Sequence, residues 1–301
     1  MKDYPMNLTE FEKEFSNEKQ CQEYLFKLRW KDGFRCPRCQ CDKAWQISEA
    51  KHKCHGCGYQ TSVISGTIFQ DTHKPLTLWF RAIWYLTAQK NGASALSLQH
   101  ILGLGSYRTA WTWLHKLRRA MIRPGRDKLQ GIIEVDETYI GAAKQGGKRG
   151  RGAENKVLVV VAVEINDNKI GRIRMSVIDD ASAKSLHYFV EQTIEKGSTI
   201  VTDGWSGYNG LSEKGYAQES KKQKNDQTLL PHVHTTISLL KRWLLGTLQG
   251  SCSKTHFAYY LDEYTFRYNR RKSKSRGMLF YRLLQNAVQV EPITYDNIIA
   301  K

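Results

Sequence analysis

Two cysteine pairs constrain this fold more than any other feature of the chain. Cys36-Pro37-Arg38-Cys39 and Cys54-His55-Gly56-Cys57 are C-x-x-C knuckles with fourteen residues between them. Each knuckle sets two thiolates on one side of a tight turn, and two facing knuckles complete a tetrahedron around Zn²⁺. Four protein ligands leave no open coordination position, so the expected ion is structural. Its binding supplies folding energy to a module this small. Cys41, His52 and His55 are nearby substitutes, and Gln40 stands where glycine often relaxes the knuckle. Six of the seven cysteines precede residue 58. That clustering fits metal binding in a reducing compartment rather than a secreted disulfide framework.

The pattern around the knuckles divides the chain. Leu8, Phe11, Phe15, Cys21, Tyr24, Leu25 and Leu28 recur at helical intervals and predict a helix over 8–30. Residues 75–121 return to helical spacing, opened by Pro75, interrupted at Asn91-Gly92 and restarted at Ser94 and Ser106 around Gly103 and Gly105. Helix, short glycine turn, helix fits a helix-turn-helix, with Arg108 among the residues near DNA and Lys116, Arg118 and Arg119 on phosphates. An ordinary helical bundle with Trp79, Trp84, Trp111, Trp113 and Leu117 as core fits as well. Beyond Pro124-Gly125 the pattern turns to strands over 131–139, 156–165, 170–178 and 199–202, with helices over 181–195, about 235–245 and about 254–269. Three strands, a helix, a fourth strand and later helices predict a mixed α/β sheet. The expected domains are a helical segment (1–33), a zinc ribbon (34–70), a helix-turn-helix-like segment (71–124) and the α/β domain (125–301).

Charge names the partner. Lys and Arg number 46 against 29 Asp and Glu, a net +17 over 301 residues. That excess suits nucleic acid first and an anionic membrane surface second. The loop 141–156 concentrates Lys148, Arg149 and Arg151, and Lys221, Lys222 and Lys224 form a second cluster. No 18-residue apolar run exists to span a membrane, and the N-terminus has no apolar signal core. A cytoplasmic, nucleoid-associated protein is expected.

In so basic a chain, acids inside apolar β-runs need a reason, because unpaired buried carboxylates are costly. Alternation over 132–139 puts Ile132, Glu134, Asp136 and Thr138 on one face and Ile133, Val135, Glu137 and Tyr139 on the other. Asp203 follows the run Thr199–Thr202 directly. Two carboxylates on adjacent strands are suited to divalent cations, and two cations can activate a nucleophile and stabilise a leaving oxygen in phosphoryl transfer.

Five stretches carry a family resemblance. They are Gly33-Phe34-Arg35-Cys36-Pro37-Arg38-Cys39, Val135-Asp136-Glu137-Thr138-Tyr139-Ile140-Gly141, Thr202-Asp203-Gly204-Trp205-Ser206-Gly207-Tyr208, the segment from Ser238 to Thr247, and the segment from Leu261 to Arg271. In this order the sequence resembles bacterial insertion-sequence transposases that join an N-terminal zinc ribbon to an RNase H-like DDE-type catalytic core. The resemblance implies that residues 125–301 form that catalytic core, with Asp136 and Asp203 as the first two catalytic carboxylates. Family members usually place Glu or Asn seven residues before the lysine matching Lys241, and here that position is His234. A neutral imidazole suits Mn²⁺ better than Mg²⁺, or could handle a proton. His232 is a rival, and Glu263 could supply the third carboxylate. Glu263, Arg267 and Arg270 form a charged stripe on the last long helix, with Glu263 placed to orient Arg267. Lys241, Arg267 and Arg270 join the expected DNA contacts.

The function so implied is a transposase that binds the terminal inverted repeats of its own element, cleaves a strand using two Mg²⁺ or Mn²⁺ ions, and joins the freed end to target DNA. A dimer or higher homo-oligomer would hold two double-stranded ends. The rival readings are a zinc-ribbon DNA-binding regulator with a decayed centre and a structure-specific nuclease.

Overall fold

The computed structural model describes residues 3–141, 156–221, 229–248 and 254–300. Lys148, Arg149 and Arg151, like Lys222 and Lys224, lie outside the described residues. The chain divides into two units, Met1–Gly125 with Lys272–Lys301, and Arg126–Arg271.

In the first unit the predicted 8–30 helix is two helices, α1 (Leu8–Glu14) and α2 (Glu18–Arg29). Apolar spacing runs on through Phe15, but the Asn17 side chain accepts from the Gln20 N–H and starts a new helix. The knuckles flank a three-stranded antiparallel sheet of β1 (Ala44–Gln46), β2 (Lys51–Cys54) and β3 (Gln60–Ser62). Then come α3 (Leu76–Ala88), α4 (Ala95–Leu102) and α5 (Tyr107–Ala120). Ser94 caps α4, and Gly103 ends it in the left-handed region at φ +60°. The α5 helix spends its apolar face on the core: Trp113 stacks on Trp79 at 3.8 Å between ring centroids, and Leu114 and Leu117 are buried. Arg118 lies on that same face and is 2% exposed, so it is not the phosphate contact predicted for it.

The second unit comprises β4 (Ile132–Ile140), β5 (Val157–Asn166), β6 (Lys169–Ile178), α6 (Ala183–Thr193), β7 (Thr199–Thr202), β8 (Ala217–Ser220), α7 (Pro231–Leu248) and α8 (Phe257–Asn269). Its sheet runs β6-β5-β4-β7-β8. The β5 strand pairs antiparallel with both neighbours, while β4, β7 and β8 are parallel. This order, with the second strand opposed to the rest, is the RNase H-like arrangement. Asp167 and Asn168, both at positive φ, make the two-residue turn between β5 and β6. The unbroken apolar run of β5 follows from burial on both faces: Val157, Val159, Val161 and Val163 pack with α7 and α8, and Val160 and Ala162 with α6. The open edge of β6 is closed from α8, where the Asn269 amide accepts from the Ile173 N–H at 2.8 Å and donates to its carbonyl at 3.1 Å.

The α/β unit ends at Arg271 rather than running to residue 301, because the last residues pack with the N-terminal helices. They form α9 (Arg276–Ala287) and α10 (Tyr295–Ile299). Phe280 of α9, fully buried, sits against Phe11, Phe15, Phe80 and Trp84. A Cβ at Gly277 would fall on the Pro5 carbonyl, so glycine lets the N-terminal strap lie directly on α9. Phe280→Ala should destabilise this unit by about 3–5 kcal/mol. Denaturant unfolding followed by tryptophan fluorescence reads it out, because six of the eight tryptophans lie in this unit.

Candidate active site

Strand β4 organises the site. Its register with β5 puts Glu134 opposite Val163 and Asp136 opposite Val161, on the face covered by α7 and α8. Glu137 pairs with Val160, on the α6 face. In the parallel pairing with β7, Glu134 stands beside Val201. The alternation read from sequence is therefore the alternation of the fold. Asp136 lies two residues beyond this pair on β4, and Asp203 lies just past the end of β7, near enough to act on Asp136 electrostatically.

The segment after β7 is tightly held. Asp203 Oδ1 accepts from the Trp205 N–H at 3.0 Å, and Gly204 sits at φ +86°. The Trp205 indole donates to the Ala181 carbonyl at 2.9 Å. A Cβ on Gly207 would meet that same carbonyl at 2.6 Å and the indole nitrogen at 2.7 Å, which explains glycine there. The fully buried Tyr208 donates its hydroxyl to Glu137 Oε2 at 2.7 Å. Burial, and then Glu137, push the Tyr208 phenol well above its ordinary value, so it remains a donor.

Helix α7 brings the third side chain. Val233, Ile237, Leu240 and Leu244 face the core, leaving His234, Ser238 and Lys241 on an exposed stripe. His234 Nε2 lies 3.3 Å from Asp136 Oδ2. The Glu137 N–H donates to Asp136 Oδ1 at 2.9 Å. Burial raises the Asp136 carboxyl above its ordinary value; Asp203 adds to this, while His234 and the Glu137 N–H oppose it. Asp203 is exposed, and Asp136 is partly open to solvent.

The rival third ligands are engaged elsewhere. His232 Nδ1 donates to Glu134 Oε1 at 2.8 Å. Glu263 is fully buried and accepts from Arg267, with Nε at 2.9 Å and the terminal nitrogen at 2.8 Å. The pair expected from their spacing is thus an internal one, and Arg267 is only 10% exposed. Arg270 stacks its guanidinium over Phe266 at 4.1 Å and donates to the Phe266 carbonyl. Sequence reasoning assigned no role to Glu134, Glu137 or Tyr208. The usable signal was the density of acids in β4, which alternation sorted to faces without naming partners.

In the first unit the four cysteine sulfurs lie within 4.8 Å of one another. Cys36 to Cys57 is 3.7 Å and Cys39 to Cys54 is 3.5 Å. A tetrahedron with Zn–S bonds of about 2.3 Å has edges of about 3.8 Å, so these residues fit zinc. Gln40 takes φ +63°, the conformation glycine would relax. The alternates have other surroundings: His52 is buried among Phe26, Trp30 and Phe34, and His55 stacks on Trp45. Among the described residues, the four sulfurs are the group that closes to this distance, and the acidic centre is wider. On α5, Arg108 is exposed and stacks over Tyr295 at 3.6 Å. Burial lowers the Lys116 ammonium below its ordinary value, with Asp71 opposing.

Comparison with known proteins bears on both units. Residues 128–269 match the ISXO2-like transposase domain, and residues 16–60 match the transposase zinc-ribbon domain. The chain belongs to the insertion-sequence transposases that carry an N-terminal zinc ribbon. It is 25% identical over 279 residues to the uncharacterized protein in transposable element ISH50 of Halobacterium salinarum, covering 85% of this chain and 92% of that one. The catalytic core domain of BIV integrase, in crystal form I, is a loose structural neighbour, with TM-score 0.31 and 18% identity over 44% of this transposase and 81% of that chain. Among the described residues no helix of the transposase is long and apolar enough to cross a membrane.

The purified transposase should contain one zinc per chain by elemental analysis. Cys36→Ser or Cys54→Ser should bring it close to zero and lower the thermal stability of the first unit. Full zinc content in either variant would place the metal elsewhere.

Proposed function

We propose that this transposase binds the terminal inverted repeats of its element, cleaves a strand at the element end, and transfers the freed end to target DNA, using Asp136, Asp203 and His234 as a divalent-metal centre. The observation that carries the reading is the meeting of Asp136 and His234, 98 residues apart in sequence, beside the exposed Asp203. Donors about 2.1 Å from an octahedral ion stand about 3 Å apart, and the 3.3 Å between Asp136 and His234 is close to that edge. The imidazole favours Mn²⁺ over Mg²⁺. When bound, such ions activate a water or 3′-hydroxyl oxygen and stabilise the departing one.

The protein residues do the rest by position. Asp136 is held by the Glu137 N–H with one oxygen toward His234. Asp203 is held by its own turn at the end of β7. Lys241, two helical turns beyond His234 on the same exposed stripe, is placed to meet a phosphate of the strand being cut. Arg108 and Lys116 of the first unit, and Lys148, Arg149 and Arg151 of the second, are the further backbone contacts in this reading. Joining two ends requires at least two copies of the catalytic centre, so a dimer or larger assembly is the working form.

The test is an oligonucleotide assay with zinc-loaded full chain and duplexes bearing the element's ends, in Mn²⁺ or Mg²⁺. Asp136→Ala and Asp203→Ala should each reduce cleavage and joining by about a thousandfold or more. They should leave duplex binding, and its steep weakening with salt, in place. Binding with no cleavage by the native chain would make it a regulator; cutting with no joining would make it a nuclease.

A further inference from the structure

Three carboxylates stand within four residues of β4, at Glu134, Asp136 and Glu137, and the catalytic reading uses one. We propose that the other two are positioning residues: Glu134 sets the helix that carries His234, and Glu137 sets the loop that carries Asp203, so that one strand fixes all three members of the site. The inference rests on the catalytic reading above.

Glu134 is 2% exposed, and its neighbours account for that burial. Its Oε2 accepts from the His232 N–H at 2.9 Å and the Val233 N–H at 2.8 Å, both in the first turn of α7. Its Oε1 takes the His232 ring at 2.8 Å. First-turn N–H groups have no partner within their own helix, and that end carries the positive pole of the helix dipole. An anion there satisfies both needs at once. The grip also fixes where the helix begins relative to the strand. Asp136 lies two residues beyond Glu134 on the same face, and His234 lies two residues beyond His232. Holding His232 and Val233 at Glu134 therefore brings His234 to Asp136.

Glu137 does the corresponding work on the opposite face. Its Oε2 receives the hydroxyl of Tyr208, which is wholly buried and ends the short helical turn Ser206–Tyr208 that follows Asp203. The end of that turn is thereby tied to the residue next to Asp136. The Asp203 turn and the Trp205 indole fix the near end. Both carboxylates are engaged with groups of the protein itself, so in this proposal both residues act through their neighbours.

Altering such supports around a metal site typically weakens metal affinity 10- to 100-fold. The experiment measures Mn²⁺ binding to the zinc-loaded full chain by electron paramagnetic resonance of free Mn²⁺, and the Mn²⁺ dependence of strand cleavage. Glu134→Gln keeps the shape but removes the negative charge at the helix start and replaces one accepting oxygen by a donor NH₂, and Tyr208→Phe removes one oxygen. Each should shift the Mn²⁺ dissociation constant and the half-saturating Mn²⁺ for cleavage upward by about 10- to 100-fold. Cleavage at saturating Mn²⁺ should recover to within a few-fold of native, and metal-free DNA affinity should stay unchanged. A merely structural role would lower the melting temperature without moving the Mn²⁺ midpoint. Should Glu134→Gln fail to fold, Tyr208→Phe decides. Native Mn²⁺ affinity in the folded variants, with Asp136→Ala weakened, overturns the positioning role alone. Native affinity in Asp136→Ala overturns the metal reading and this proposal with it.

Discussion

Burying a carboxylate costs several kcal/mol unless charge and hydrogen bonds replace its water, and the second unit is built around meeting that cost on a single strand. Glu134 receives two backbone N–H groups and an imidazole. Glu137 receives a phenol. Hydrogen bonds to charged groups contribute about 1.5–3 kcal/mol each and offset part of that cost. Asp136, between them, accepts one backbone N–H and stands 3.3 Å from a histidine nitrogen. Burial raises its carboxyl above the ordinary value, against the opposing effect of His234 and the Glu137 N–H.

The first unit meets a different constraint. The ribbon sheet has strands of three, four and three residues. So small a sheet cannot bury enough apolar area alone, and the four sulfurs supply what the area does not. The rest of the unit depends on rings. Phe11, Phe15, Phe80, Trp84 and Phe280 form one cluster, and Trp79 and Trp113 form a stack. Phe280 comes from the far end of the chain, so the N-terminal unit is complete only with its last thirty residues.

Much of this was legible in the sequence, for physical reasons. The knuckles announce zinc by spacing alone. The long strands announce themselves by alternation, or by an unbroken valine run where both faces are covered, and Asp203 sits where a strand end displays it. What escaped lacks such a period. The β8 segment, Ala217-Gln218-Glu219-Ser220, is a polar, largely exposed edge whose pairing partner is all that makes it a strand. The break at Asn17 falls in the polar run 16–20, a gap in the apolar spacing short enough to be bridged by a helix pattern on either side. Charge alone predicts a phosphate contact for Arg118, although the phase of α5 points it inward. The tail of the chain has helical character but nothing local to say which unit it joins. The role of Glu134 was invisible for the same reason, since its partners lie 98 and 99 residues away.

The third member of the site illustrates how geometry separates candidates that spacing leaves level. Drawing Glu263 into a metal centre would break its ion pair with Arg267, whose side chain is largely buried. Drawing in His232 would take a hydrogen bond from Glu134, already holding the helix. His234 carries neither obligation: its side chain is half exposed and stands beside Asp136. On the catalytic reading, the imidazole also changes the electrostatics. Asp203 already raises the tendency of Asp136 to hold a proton, and a third carboxylate at this position would raise it further. Histidine there has the opposite effect, so Asp136 is more readily ionised than it would be among three acids. The cost falls on affinity for hard, oxygen-seeking cations, and the balance shifts toward metals that accept nitrogen.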